Sequence, residues 1–191
     1  MSKKILLLWL LLAGCSASKK ANTAAKQGYY PVPVDQVMGH LSLSGAQNCL
    51  YVAGDSLYFI SALQAYGLQP DLAATEAQLA GFQTNPDFTA LALNQVLLSK
   101  GGLRTEQTYA RILIDRSKED LKADELAALI NQLLSKLDNE GILVLISPKQ
   151  DPKAGQITQK ANLLLTEAGG YRKSSLDTSL APHLQALILL K

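Results

Sequence analysis

Histidine and cysteine are scarce in these 191 residues. His40 and His183 are the only histidines, and Cys15 and Cys49 the only cysteines. None of these falls at the spacing by which zinc-binding side chains converge, so a protein-built metal site is not expected. Net positive charge is also nearly absent. Lys3 and Lys4 account for the whole formal excess of +2, leaving everything after residue 14 neutral. A neutral domain lacks the basic footprint that phosphate neutralisation demands, which excludes nucleic acid as the expected partner. A long hydrophobic run is missing too: Ile5 to Ala13 falls well short of the about 20 apolar residues that cross a bilayer core.

That short run is nonetheless informative. Lys3 and Lys4 precede it, and Leu12-Ala13-Gly14-Cys15 close it, the plan of a secretory signal with small residues before the cut. The ending in cysteine resembles the lipobox of bacterial lipoproteins. The resemblance implies that residues 1–14 are removed, that the Cys15 thiol takes a diacylglyceryl group, and that palmitate or a similar chain is added at the new amino terminus. Two or more acyl chains hold a protein stably where a single one does not. In the Gram-negative lipoproteins that this segment resembles, an aspartate after the cysteine favours retention at the inner membrane; with Ser16 there, the resemblance implies an outer-membrane anchor facing the periplasm. Lys19 and Lys20 are too few to form a strong polybasic anchor of their own. Lipidation of Cys15 leaves no partner for an internal disulfide, and Cys49, opening an apolar stretch, reads as a small buried hydrophobe.

Residues 15–28 form a small, polar, lysine-containing tether. Tyr30-Pro31-Val32-Pro33-Val34 is an extended entry, because each proline lacks an amide donor and biases its predecessor toward extended geometry. A single domain is expected over 29–191, long enough to bury a substantial core. Within it, Asp35 to Leu43 suits a helix, Cys49 to Ala53 a buried strand, and Leu57 to Tyr66 a helix stopped by Gly67. Thr75 and Gln78 have the spacing of a capping box. Asn85-Pro86-Asp87 starts an expected helix through Leu91, Leu93, Val96, Leu97 and Leu98 to Gly101-Gly102; a strand in Leu68 to Ala73 or after Gly102 stays open. Ala110 to Asp115 reads as a strand. Leu126 to Leu137 repeat at helical spacing and end at Asn139-Glu140-Gly141. Ile142 to Ile146 is a buried strand, Pro148 to Gly155 a loop, Ile157 to Ala168 a helix stopped by Gly169-Gly170, and Gln185 to Leu190 a last strand. Apolar strands alternating with amphipathic helices predict a three-layer, Rossmann-like α/β domain, its mainly parallel sheet covered on both faces.

In such a sheet ligands bind beyond the carboxyl ends of the strands. Two clusters sit there: Gly54-Asp55-Ser56 and Asp115-Arg116-Ser117. Amides after Gly54 suit an anion or a developing oxyanion; the simpler reading is a tight turn at Gly54 with Asp55 or Ser56 as helix cap. The block Val52-Ala53-Gly54-Asp55-Ser56-Leu57 resembles the nucleophile block of GDSL-type esterases and lipases. That resemblance implies Ser56 as nucleophile, His183 as base and Asp177 as its orienting acid. Asp177 stands six residues before His183, where the family places its acid three before.

A second, broader resemblance runs from residue 110 onward. Arg111 to Asp115, then Leu133 to Leu145, then Leu164 to Gly169 resemble the second half of class I S-adenosylmethionine methyltransferases: strand, helix, glycine turn, strand, and a helix ending in Ala-Gly before two last strands. The family's glycine-rich loop falls at Ala53-Gly54-Asp55-Ser56, which keeps one glycine, and no acid to hold the cofactor's ribose is evident after a second strand. The methyl donor is made in the cytosol, from which a lipidated protein is separated. The expectation is therefore a methyltransferase-like fold without cofactor, serving as a non-catalytic binding or scaffolding module for another envelope protein. His40 reads as solvated or capping.

Overall fold

The computed structural model describes residues 34–41, 48–54, 58–89, 91, 93–99, 102–116, 122–149, 152–181 and 184–191. The lipobox with Cys15, the tether, Asp55, Ser56, Ser117 and His183 lie outside the described residues. In chain order the elements are α1 (Val34–Leu41), β1 (Cys49–Val52), α2 (Tyr58–Ala65), β2 (Asp71–Ala74), α3 (Glu76–Gln83), α4 (Pro86–Thr89), β3 (Gln95–Ser99) and β4 (Gly102–Leu103). They continue with β5 (Tyr109–Asp115), α5 (Ala123–Ser135), β6 (Leu137–Pro148), α6 (Pro152–Ala168), β7 (Lys173–Ala181) and β8 (Leu184–Leu190).

The strands form one sheet in the order β4-β3-β2-β1-β5-β6-β8-β7. β1 pairs in parallel with β2 and with β5, β2 with β3, and β5 with β6. β8 runs antiparallel to both its neighbours, β6 and β7, and the short β4 runs antiparallel to β3. After β1 the chain builds outward on one side through β2 and β3, then returns to β5 on the other. The gap between β1 and β5 is thus the topological switch point, where open α/β sheets hold their ligands.

Residues alternate across the sheet. Leu50, Val52, Ile112, Ile114, Leu143, Leu145, Leu187 and Leu189 pack against Leu126, Ile130, Leu133 and Leu134 of α5 and Ala161 and Leu165 of α6. The intervening residues face the other way, and there Arg111 Nε donates to the Leu41 carbonyl, which sets α1 on the opposite face. Val37, Met38 and Leu41 of α1 are buried, as are Ile60 and Leu63 of α2. Strands covered on both sides need apolar residues at every position, which is why Ile142 to Ile146 is an unbroken run. Among the described residues no helix is long and apolar enough to cross a membrane.

The three-layer, mainly parallel architecture is the expected one, but four elements depart from local pattern. The helix expected through Val96, Leu97 and Leu98 stops at Thr89, and Gln95–Ser99 is a strand. Val96 and Leu98 are buried and Gln95 exposed: the run is short enough to fit either period, and hydrogen bonding to β2 selects period two. The helix expected to reach Leu137 ends at Ser135; Leu137 already belongs to β6. That strand starts with an irregularity in its pairing with β5 and holds Glu140 at φ 65. Helix α6 begins at Pro152, inside the expected loop, using proline in the first turn where its missing N–H costs nothing. Finally β7, which the resemblance implied as one of two last strands, carries no apolar run. It is an edge strand rich in serine and threonine, a composition that blunts edge pairing.

Gly141 is the tightest glycine of the β6 irregularity. A Cβ there would lie 2.6 Å from Leu137 Cγ and 2.8 Å from the Asp138 carbonyl oxygen, whereas Gly39 in α1 has nothing within 4 Å. Gly141→Ala should lower stability by about 1–3 kcal/mol, and Gly39→Ala should raise it by about 0.5–1 kcal/mol, both read from urea unfolding midpoints at unchanged slope.

Candidate functional site

The carboxyl end of β1 is the centre of the site. Gly54 is buried there, and its conformation does not require glycine: it is not among the positive-φ residues. What requires glycine is space. A Cβ at Gly54 would stand 2.6 Å from the Asp115 carbonyl oxygen, so only a bare backbone lets the ends of β1 and β5 approach this closely. Asp115 itself is 2 % exposed, and its Oδ2 accepts the Tyr51 hydroxyl at 3.2 Å across the switch point. The sequence reading put Gly54 and Asp115 at two separate strand ends; the structure brings those two ends side by side.

Two side chains bridge the end of β1 from opposite directions. From the β5 side, Arg116 Nη1 donates to the Ala53 carbonyl at 3.2 Å, while its backbone N–H donates to the Ile146 carbonyl at 2.9 Å. From the β2 side, Gln78 Nε2 donates to the carbonyls of both Ala53 and Gly54, each at 3.3 Å. Gln78 Oε1 accepts from the Thr75 N–H at 3.0 Å and the Thr75 hydroxyl at 3.1 Å, and Thr75 Oγ1 accepts the Gln78 N–H at 3.3 Å. The capping box read from the sequence is present, and its glutamine does a second job that the spacing did not reveal. Where β2 ends, the residue that follows is neutral Thr75; the first acid after it, Glu76, is exposed in the first turn of α3.

Asp177 lies on β7, across three strand spacings from Asp115, through the pairs Asp115–Ile146, Ile146–Ala186 and Ala186–Asp177. That separation is about 14 Å at ordinary strand spacing. Its Oδ2 is 2.7 Å from His40 Nε2, and its Oδ1 accepts the Ser179 N–H at 2.7 Å and the Ser179 hydroxyl at 2.6 Å. His40, expected to be solvated or capping, is half-buried in the last turn of α1 and clasped to the edge strand. The Ser179 hydroxyl, then the Ser179 amide and His40, hold the Asp177 carboxyl below the usual range against a partial burial that pushes the other way.

Other buried polar groups had no sequence signal. Thr158 of α6 donates to Ser147 Oγ at 2.9 Å and Gln185 Nε2 donates to the same oxygen at 3.3 Å, tying α6 to β6 and β8 beneath the surface. Cys49 is buried, and burial pushes its thiol up to about 12 despite the nearby Arg111, the state of a packing residue rather than a nucleophile. Among the described residues, no three histidine, cysteine, aspartate or glutamate side chains gather as a metal site would need.

No protein-family model matches the sequence, and no curated protein matches it. Solved structures do resemble the fold. A methyltransferase from Pyrococcus furiosus is 17% identical, with 83% of this chain and 82% of that chain covered and a TM-score of 0.57. Precorrin-6y C5,15-methyltransferase from Geobacter metallireducens is 16% identical over 83% of this chain and 87% of that one, TM-score 0.55. N-methyltransferase NodS from Bradyrhizobium japonicum, solved with S-adenosyl-L-homocysteine, is 13% identical over 83% and 85%, TM-score 0.57. The fold is the Rossmann-like fold of class I S-adenosylmethionine-dependent methyltransferases. At these identities the likeness concerns architecture.

Two outcomes check the electrostatics. With Cys15 replaced by serine, the native chain should leave Cys49 unreacted with Ellman's reagent at pH 8 and release its thiol only in guanidinium. A carboxyl held below its unfolded value of about 3.9 adds stability that is complete above that pH and vanishes as pH falls through the folded value. The stability gap between the wild-type chain and Asp177→Asn should therefore be largest at neutral pH and close on acidification below about pH 4.

Proposed function

We propose that this chain is a lipid-anchored binding module in which a methyltransferase-like fold serves as scaffold rather than catalyst. The observation that carries this reading is the occupation of β1's end by the chain's own donors: Gln78 on Ala53 and Gly54, and Arg116 on Ala53. In an open parallel sheet that end is the place for a ligand, and here its carbonyls are already satisfied. Neutral Thr75 after β2 supports the same reading, because the ribose-holding acid implied by the family resemblance has no counterpart at that turn. The lipobox-like Leu12-Ala13-Gly14-Cys15 adds an anchor at the periplasmic face of the outer membrane, beyond reach of a cytosolic methyl donor, with another envelope protein as the partner.

A second reading, a methyl transferase dependent on S-adenosylmethionine, is favoured by the similar architecture of NodS, which was solved with S-adenosyl-L-homocysteine. Isothermal titration separates the two. The scaffold reading expects no saturable binding of S-adenosylmethionine or S-adenosyl-L-homocysteine by the folded chain at millimolar ligand. A dissociation constant of about 100 μM or tighter, equivalent to about −5.5 kcal/mol, would overturn it. The anchor is read separately: palmitate labelling in cells should mark the wild-type chain and miss Cys15→Ser.

A further inference from the structure

We infer that Gln78 is an internal plug, a side chain that occupies a slot shaped for the –NH2 group of a small ligand and whose removal opens that slot. The inference rests on the scaffold reading above and goes beyond it by naming the residue responsible and the chemistry it displaces. Three observations converge on it. One carboxamide nitrogen, Gln78 Nε2, lies 3.3 Å from each of two carbonyl oxygens, Ala53 O and Gly54 O. These are consecutive backbone acceptors at the end of β1, beside the switch point, and a single –NH2 with two hydrogens satisfies both. The opposite end of the same carboxamide is fixed by Thr75, whose N–H and hydroxyl both donate to Gln78 Oε1, so the amide is held with its –NH2 aimed at β1 and cannot flip without losing its acceptors. Both contacts to β1 are long for N–H···O bonds, whose usual length is about 2.9–3.0 Å. They join a part-buried side chain on the first turn of α3 to the end of a different strand, 24 and 25 residues away in sequence.

A primary amine, an ammonium group or an exocyclic aromatic amine has the same donor pair as the glutamine carboxamide. A ligand carrying one must compete with a group already tethered beside the acceptors, and an intramolecular competitor acts at high effective concentration. Removing the tethered amide removes the competition and frees the Gly54 carbonyl and one acceptor direction of the Ala53 carbonyl, which keeps the Arg116 guanidinium on its other side.

The test uses the full folded chain and three probes: adenosine, with an aromatic amine; L-methionine, with an aliphatic ammonium group; and S-adenosyl-L-homocysteine, with both. Gln78→Ala removes the plug together with its share of the capping box. Gln78→Glu keeps an oxygen for Thr75 and replaces the donor by an acceptor that the carbonyls repel. Circular dichroism establishes that each variant is folded, and Gln78→Glu serves if Gln78→Ala is not. The expected result is a gain of about tenfold or more in affinity for S-adenosyl-L-homocysteine over the wild-type chain, with the adenosine and methionine arms telling which amine takes the slot. If the wild-type chain does not bind and a folded variant gains nothing with any probe, the plug is overturned while the scaffold reading stands. If the wild-type chain itself binds S-adenosyl-L-homocysteine tightly, the scaffold reading falls, and the plug with it.

Discussion

The approach of β1 to β5 at their carboxyl ends governs the rest of the molecule. Two parallel strands are held in register by their ladder, but at this edge the ladder runs out, and the backbone of Gly54 comes so near the Asp115 carbonyl that a methyl group would not fit between them. Closeness there draws Tyr51 within reach of the Asp115 carboxyl and Arg116 within reach of the Ala53 carbonyl. A sheet that splayed open at this point would lose all three relations at once. It would also leave a buried carboxylate without its phenol, a costly state in a low-dielectric interior.

Around that closed seam the molecule divides its labour by face. The side of the sheet under α5 and α6 carries the large apolar cluster that supplies the bulk of the hydrophobic driving force, with Thr158, Ser147 and Gln185 as a buried polar tie to α6. The other side carries the polar apparatus: Tyr51 with Asp115, Arg111 with the end of α1, and Asp177 with His40. Helix α1 is held there by side chains from two strands and one turn, since Tyr66 after α2 also donates to Asp35 in its first turn. Fold and site are therefore coupled: the polar contacts that orient α1 lie on the same face as those beside the switch point.

Much of this was legible from sequence, and the boundary has a physical explanation. Buried parallel strands announce themselves as continuous apolar runs, so Cys49 to Ala53 and Ile142 to Ile146 were readable, as was the Thr75–Gln78 capping box, whose signal spans only four residues. β3 was not, because Gln95 to Ser99 is too short to fix a period and its conformation is decided by β2, a remote partner. β7 was silent for the opposite reason, being an edge strand with little to bury. The site divides likewise. Gly54 and Asp115 followed from their positions after strong strands, but the reach of Gln78 to Ala53 and of His40 to Asp177 spans 25 and 137 residues, and no local pattern encodes such distances. Ser56 and His183, the nucleophile and base implied by the esterase resemblance, lie outside the described residues.

The insertion of β8 between β6 and β7 bears on how the molecule comes into being. During synthesis β6 and β7 emerge before the strand that joins them, so neither has its final neighbour on that side until β8 follows. A nascent chain arrested short of Leu184 carries one open apolar flank along β6, ready to engage a chaperone or to aggregate. Only when the Leu184–Leu190 segment is paired with both neighbours is the sheet continuous from β6 to β7.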